Sequence, residues 1–160
     1  MMNEKVYSAI RDFADSNGIL GTGFTYGGHP VAAAVALETL KIYDDTDIAS
    51  HVNAVSKVAM RRLAALGDHP LVGDAKGVGL IGSIELVKDK ETKENFDPEV
   101  AAWSSEACTK RGGLLRACAG TRVAFCPPLI IKEDEVNTLF DRWELALEDT
   151  LQHVRSEGLF

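Results

Sequence analysis

The sequence has few cysteines and no long hydrophobic run. Its three cysteines, Cys108, Cys118 and Cys126, show no CxxC spacing. An odd number of cysteines among small and apolar neighbours indicates reduced thiols, as in cytoplasmic proteins. The longest uncharged apolar run, residues 29–37, falls well short of the roughly 20 residues that span a bilayer. We therefore expect a cytoplasmic protein with no membrane partner.

Positive charge and metal-ligand patterns are also scarce. The chain carries 24 acidic against 17 basic residues, which gives a formal net charge of −7. Nucleic acids and anionic membranes need a basic face, so neither is expected as a partner. The histidines share no ligand spacing with each other or with the cysteines, which predicts no metal site. Small molecules or other proteins are the expected partners. The histidines are His29, His51, His69 and His153.

The pattern of apolar residues predicts an α+β fold with one core. At 160 residues and 46% hydrophobic composition, the chain is long enough to bury such a core. Helices and strands do not alternate as in a βαβ series, so a parallel sheet is not predicted. Apolar periodicity predicts helices over residues 2–16, 30–43, 48–66, 99–111 and 132–155. Residues 72–87 are predicted to form two short strands or one bent hairpin, and residues 114–119 and 121–126 a hairpin that turns at Gly120 and Thr121.

The helix beginning at Pro30 differs from the others in its composition. Proline suits the first position of a helix, and Gly28 or His29 precedes it as the cap. Apolar residues then occur nearly all round the helix over residues 31–43. A helix with no polar face is normally surrounded by protein, so we expect this one to be buried.

One glycine pattern resembles a nucleotide-binding turn without its context. Residues 77–82, "GVGLIG", match G-x-G-x-x-G letter for letter. A dinucleotide site requires a helix that opens after these glycines, so that the pyrophosphate meets its N-terminus. Here the residues after Gly79 continue as a predicted strand, which favours glycines that allow close strand packing.

The loop "GFTYGGHP", residues 23–30, combines features that favour anion binding. Its glycines allow close backbone approach, Thr25 supplies a hydroxyl, and Phe24 and Thr25 supply backbone N–H groups. The helix from Pro30 adds the positive end of a dipole. A phosphate or carboxylate site is one interpretation, and a glycine-rich turn that only leads into a buried helix is the other.

Several segments together resemble a known family. "GFTYGGHPVAAAVALETLKIYDD", "GLIGSIELVKDK", "GGLLRACAGTRVAFCPPLII" and "EVNTLF" look like segments of class III aminotransferases, the ω-transaminase group of pyridoxal-phosphate (PLP) enzymes of fold type I. The segments occur in the family's order and at compatible spacings. The resemblance therefore covers essentially the whole chain.

The resemblance implies the C-terminal portion of such an enzyme. Residues 1–28 would end the large cofactor-binding domain, residues 29–45 would form a connecting helix, and residues 46–160 would form the C-terminal small domain. The enzyme would use PLP to move an amino group from an amine or amino acid to a keto acid or aldehyde. It would act as a homodimer or by association with an N-terminal half.

The resemblance also assigns roles to three residues. The position of Thr25 implies a hydroxyl that donates to the cofactor phosphate of the neighbouring subunit, with Phe24 in support. Arg116 corresponds to the arginine that holds the substrate carboxylate. Without the resemblance, Arg116 would be interpreted as a solvent-facing strand residue.

One element of the family is missing from this sequence. The Schiff-base lysine of the family lies upstream of "GFTY", and no lysine here falls in a matching context. We therefore assign no catalytic residue and expect the 160-residue chain alone to be inactive. Two alternatives stay open, namely a PLP-dependent aminomutase or epimerase of the same family and a non-catalytic dimerisation module.

Overall fold

The structure, a computed structural model, describes residues 2–19 and 23–160. It forms two compact units, residues 1–42 and residues 43–160, which are described separately. None of its described helices is long and apolar enough to cross a membrane. The helices are α1 (Glu4–Asn17), α2 (Pro30–Asp45), α3 (Ile48–Leu66), α4 (Pro98–Lys110) and α5 (Glu133–Ser156). The strands are β1 (Val72–Val78), β2 (Ile81–Leu86), β3 (Arg116–Ala117) and β4 (Arg122–Phe125).

Helix α1, in the first unit, spans Glu4–Asn17 where residues 2–16 were predicted. The Oδ1 atom of Asn3 caps the helix by accepting a 3.0 Å hydrogen bond from the Val6 N–H. The helix ends at Gly18, whose φ of 77° is the left-handed conformation that glycine adopts readily. Its apolar side chains include Val6 and Phe13, and both are exposed.

Helix α2 begins at Pro30 as predicted, but the prediction that it is buried is wrong for this chain. None of its residues is buried, and Val31, Leu37 and Leu40 are each more than half exposed. A helix that is apolar on all sides is normally surrounded by protein. The described residues do not bury α2 in this way.

The second unit contains one four-stranded antiparallel sheet in the order β1-β2-β4-β3. Residues 72–87 form a hairpin of β1 and β2, one of the two predicted alternatives, and the predicted β3-β4 hairpin is also present. Left-handed glycines lie in the two turns, at Gly79 and Gly120. Strand β3 is shorter than the predicted residues 114–119, because only Arg116 and Ala117 are in ladder register with β4. This antiparallel sheet with its helices confirms the α+β prediction.

One face of the sheet forms the core of the second unit. Helices α3 and α4 pack on the sheet, and α5 packs on both helices. The Phe125 ring of β4 makes edge contacts with the rings of Phe140 and Trp143 from α5, at centroid distances of 5.3 Å and 6.0 Å. Both α5 rings are fully buried. The opposite face of the sheet, which we call the open face, carries charged and small side chains.

Helix α5 is held at its start and near its end by charged groups. The Lys132 N–H donates a 2.8 Å hydrogen bond to Oε2 of Glu135 in the first turn, which supplies the cap that the Lys132 side chain cannot. Arg111, at the end of α4, makes bonds of 2.6 Å and 2.7 Å to the two carboxylate oxygens of Asp149. This hydrogen bonding lowers the pKa of Asp149. The bidentate pair fixes α4 against α5.

The last glycine of "GVGLIG" serves the packing of the core. The residues after Gly79 form β2, as predicted, so no helix opens there to receive a pyrophosphate. A Cβ atom at Gly82 would lie 2.5 Å from Cε1 of Phe125 and 2.7 Å from Cδ2 of Leu63. Only glycine at this position leaves room for Phe125 and Leu63 to pack against β2.

We therefore predict that Gly82→Ala destabilises the chain. The added methyl group overpacks the core between Leu63 and Phe125, which should lower the free energy of unfolding by about 1–3 kcal/mol in a urea titration. Gly23→Ala is the matched control, because a Cβ atom there meets no described atom within 4 Å. Equal stability of the two variants would contradict the packing of Phe125 over Gly82.

Candidate functional site

The first candidate site residues lie in the loop that precedes α2. The Gly27 N–H donates to the Phe24 carbonyl over 2.8 Å, which closes a tight turn around Thr25 and Tyr26. Gly28 follows with a φ of 74°, a conformation that glycine adopts without strain. Phe24 and Tyr26 are 89% and 84% exposed. The turn thus presents its side chains outward from the chain.

Thr25 is exposed in this turn, and its hydroxyl has no hydrogen-bond partner among the described residues. Helix α2 follows directly, and its first backbone bond runs from the Ala33 N–H to the His29 carbonyl over 2.9 Å. The amides of a first helical turn lack partners within the helix, and the helix dipole favours an anion there. A hydroxyl without a partner near the N-terminus of α2, a helix of 16 residues, is chemically suited to bind a phosphate group.

Arg116 is the first residue of β3 in the second unit. It lies opposite Ala124 of β4, and Ala124 is opposite Ser83 of β2, so all three face the open side of the sheet. Its side chain is exposed, as expected for a solvent-facing strand residue. Within the described part of the chain, no acidic group or carbonyl forms an ion pair or hydrogen bond with its guanidinium.

Charged residues that the sequence analysis did not single out lie on the same face. The Nη2 atom of Arg122 is 2.9 Å from Oε2 of Glu85 and 3.8 Å from Oδ2 of Asp74. The Nζ atom of Lys76 is 3.2 Å from the same Asp74 oxygen. Period-two alternation could have placed each residue on this face, but their pairing depends on the order of strands in the sheet.

A groove of about 440 Å³ crosses the open face. Its floor is formed by small residues, including Gly82, Ser83 and Ala124. Longer side chains stand around the floor and give the groove an apolar end at the β1-β2 turn and a charged end near Arg122. The longer side chains are Lys76, Val78, Ile81 and Arg122.

A second cavity, of about 580 Å³, lies between α3 and α5. Burial lowers the pKa of His69, which lines it, so the imidazole is neutral at neutral pH. Its Nδ1 accepts a hydrogen bond from the Leu71 N–H, and its Nε2 lies 3.5 Å from Oε1 of Glu148. The first contact lies within the segment between α3 and β1, and the second brings that segment beside α5, which gives the histidine a structural role.

The lysine side chains of this chain are not desolvated. Nine of the 17 basic residues are lysines, and all nine are exposed. Several are already engaged, such as Lys110 with Glu106 at 2.9 Å and Lys88 with Glu94 at 3.1 Å. Nucleophilic lysines are commonly activated by desolvation, and the exposure of all nine side chains excludes that route among the described residues.

The sequence matches the model of the family "Aminotransferase class-III" over residues 1–147. It is 36% identical over 156 residues to gamma aminobutyrate transaminase 3, chloroplastic, of Solanum lycopersicum, covering 96% of this chain and 30% of that protein. It is 39% identical over 147 residues to putrescine–pyruvate aminotransferase of Pseudomonas aeruginosa, covering 91% of this chain and 32% of that protein. The chain thus spans about a third of these relatives.

Solved structures of transaminases are also similar to this chain. The omega transaminase from Pseudomonas jessenii in complex with PMP is 40% identical with a TM-score of 0.81, over 96% of this chain and 34% of that one. A transaminase with L-ala is 42% identical with a TM-score of 0.82, over 96% of this chain and 36% of that one. The fold agrees with the C-terminal part of a fold type I enzyme. The chain belongs to the class III aminotransferase family.

Proposed function

We propose that the chain is the C-terminal part of a PLP-dependent aminotransferase that transfers an amino group from an amine or amino acid to a keto acid or aldehyde. Residues 1–28 would complete a large domain, residues 29–45 would connect, and residues 46–160 would form the small domain. The assembled enzyme would be either the longer polypeptide that contains this chain or its complex with the polypeptide that supplies the remaining two thirds.

The observation that carries this proposal is the unpaired guanidinium of Arg116 on the open face. An exposed arginine whose neighbouring acids are engaged elsewhere is available to a ligand. A guanidinium fork matches the geometry of a carboxylate with two parallel hydrogen bonds. Arg116, to which the family resemblance assigns the substrate carboxylate, thus lacks an acidic partner among the described residues.

The loop before α2 supports cofactor binding by a separate route. Thr25 would donate its hydroxyl to the phosphate of PLP held with the neighbouring subunit, and the exposed Phe24 would pack beside it. The N-terminal end of α2 would stabilise the phosphate charge. PLP, when bound, supplies an electron sink for breaking bonds at the amino-bearing carbon. The chain's contribution is to position that group and the substrate.

The lysine that attaches to the cofactor would come from outside this chain. The nine lysines are all exposed, whereas the proposed reaction needs a lysine held at the cofactor carbonyl. We therefore propose that the chain alone is inactive. It would contribute phosphate and carboxylate contacts to an enzyme completed by other residues.

The exposed apolar side chains of α2 support an obligatory association. Val31, Val35 and Leu37 are 65%, 61% and 69% exposed, and such side chains favour burial against protein. A homodimer or association with an N-terminal half would cover them. The same exposure favours a non-catalytic dimerisation module as the second candidate. The acidic composition and free thiols favour a cytoplasmic site of action for either.

One prediction of this proposal concerns Arg116 in the assembled enzyme. Arg116→Ala and Arg116→Lys should lower kcat/KM for amino acids and keto acids by about ten- to a hundredfold, because neither side chain reproduces the two parallel hydrogen bonds. Steady-state kinetics with an amine that lacks a carboxylate should change far less. Arg61→Ala, which removes an exposed arginine of α3, is the control.

Two outcomes would contradict this assignment. Unchanged kinetics on both substrate classes would leave Arg116 a solvated surface residue. Equal losses on both classes, with Arg61→Ala unaffected, would mean that the substitution damages the β3-β4 hairpin. Neither result would show the loss specific to carboxylate substrates that the assignment requires.

Another prediction of this proposal concerns Thr25. A charge-assisted hydrogen bond from its hydroxyl to a phosphate is worth roughly 1.5–3 kcal/mol, so Thr25→Ala should weaken PLP retention by about tenfold or more. Thr25→Ser keeps the hydroxyl and should retain the cofactor nearly as well. Equilibrium dialysis of PLP against the assembled enzyme measures both variants. An alanine variant that binds PLP as tightly as the unsubstituted enzyme would refute the phosphate role.

A further inference from the structure

Two rows of side chains cross the open face of the sheet. The register of β1, β2 and β4 sets three residues of the first row opposite one another, and the second row extends to β3. Residues two apart on a strand share a face, so the rows are neighbours on the same surface. From β1 outward, the first row is Asp74, Glu85 and Arg122, and the second row is Lys76, Ser83, Ala124 and Arg116.

The two acids of the first row form ion pairs with two of the three cations on the open face. The third cation is Arg116. Glu85 bonds to Arg122 at 2.9 Å. Asp74 lies 3.8 Å from Arg122 and 3.2 Å from Lys76. Two carboxylates therefore balance two cations, and these groups leave no unpaired charge between them.

Arg116 is the fifth charge and has no acidic partner in the described strands. Its row neighbours Ala124 and Ser83 are small, which leaves space beside the guanidinium. Arg122 is its diagonal neighbour, because Arg116 is opposite Ala124 and Arg122 is two residues along β4. Diagonal neighbours of antiparallel strands are about 7–8 Å apart, a separation that two long side chains can bridge with one small ligand.

We propose that Glu85, supported by Asp74, determines the substrate class of this site by occupying Arg122. The open face then offers one guanidinium, Arg116, and selects keto and amino acids with one carboxylate over those with two. This inference rests on the proposed function, because it takes Arg116 as the ligand of the substrate carboxylate.

The selection follows from charge alone. A dicarboxylate held by Arg116 would bring its second carboxylate towards Arg122, where Glu85 and Asp74 already lie. The second carboxylate would meet like charge and would have to displace a formed ion pair. A monocarboxylate such as pyruvate has no second carboxylate to bring towards Arg122. Glu85 therefore acts through Arg122 and not by contact with the accepted substrate.

The test replaces Glu85 by its uncharged isostere. In the assembled enzyme, Glu85→Gln should raise the ratio of kcat/KM for 2-oxoglutarate to kcat/KM for pyruvate by about tenfold, because Arg122 becomes available to the second carboxylate. Asp74→Asn should raise the ratio in the same direction. Glu144→Gln is the matched control, because Glu144 makes the same 2.9 Å bond to an arginine, Arg62, on the α3-α5 side.

A second readout needs neither cofactor nor turnover. In the 160-residue chain at low salt, the Nε–Hε resonances of Arg116 and Arg122 can be followed by NMR while 2-oxoglutarate or pyruvate is added. In the unsubstituted chain both acids should shift the Arg116 resonance and leave Arg122 in place. In Glu85→Gln, 2-oxoglutarate should also shift Arg122, whereas pyruvate should not.

The outcomes separate this inference from the proposed function. If Arg116 responds but the substrate ratio and the Arg122 resonance are the same in Glu85→Gln and Glu144→Gln, the role of Glu85 is wrong and the role of Arg116 stands. A response of Arg122 to 2-oxoglutarate in the unsubstituted chain overturns the inference in the same way. If Arg116 responds to neither acid and Arg116→Ala keeps full activity, the carboxylate assignment fails and the inference fails with it.

Discussion

The contact of Phe125 with Phe140 and Trp143 is the constraint on which the second unit depends. It seals one face of the sheet under α5, and it requires a residue without a side chain at Gly82. Because side chains alternate along a strand, sealing one face fixes which residues appear on the other. The position of Arg116 beside Ala124, and the pairing of Arg122 with Glu85, are consequences of this packing.

The two units carry binding groups that suit two different anions. The first unit offers a hydroxyl, a tight turn and a helix start, which suit a phosphate group. The second offers a single unpaired guanidinium among engaged ion pairs, which suits a carboxylate. All nine lysines of the chain are exposed, so neither unit buries a lysine side chain. The proposed division of labour therefore assigns binding to this chain and covalent chemistry to residues outside it.

The sequence predicted the bounds of helices and strands better than their burial and tertiary contacts. The stripe of apolar residues in α3 predicted residues 48–66, which are the bounds observed, since periodicity and turn residues are local properties. The burial of α2 was predicted wrongly, because burial depends on tertiary contacts that the composition of one helix does not report, and none of its residues is buried in this chain. The row of Asp74, Glu85 and Arg122 could not be predicted, because it requires the strand order. The roles of Thr25 and Arg116 came from the family resemblance, and their exposure is compatible with those roles.

The most direct test of this account is whether the chain itself can attach the cofactor. The 160-residue chain is incubated with PLP, reduced with borohydride and digested, and modified lysines are located by mass spectrometry. The account predicts scattered, substoichiometric modification of exposed lysines and no transamination. One lysine modified stoichiometrically, together with turnover of an amino donor, would show that the chain contains its own catalytic lysine and would contradict the account.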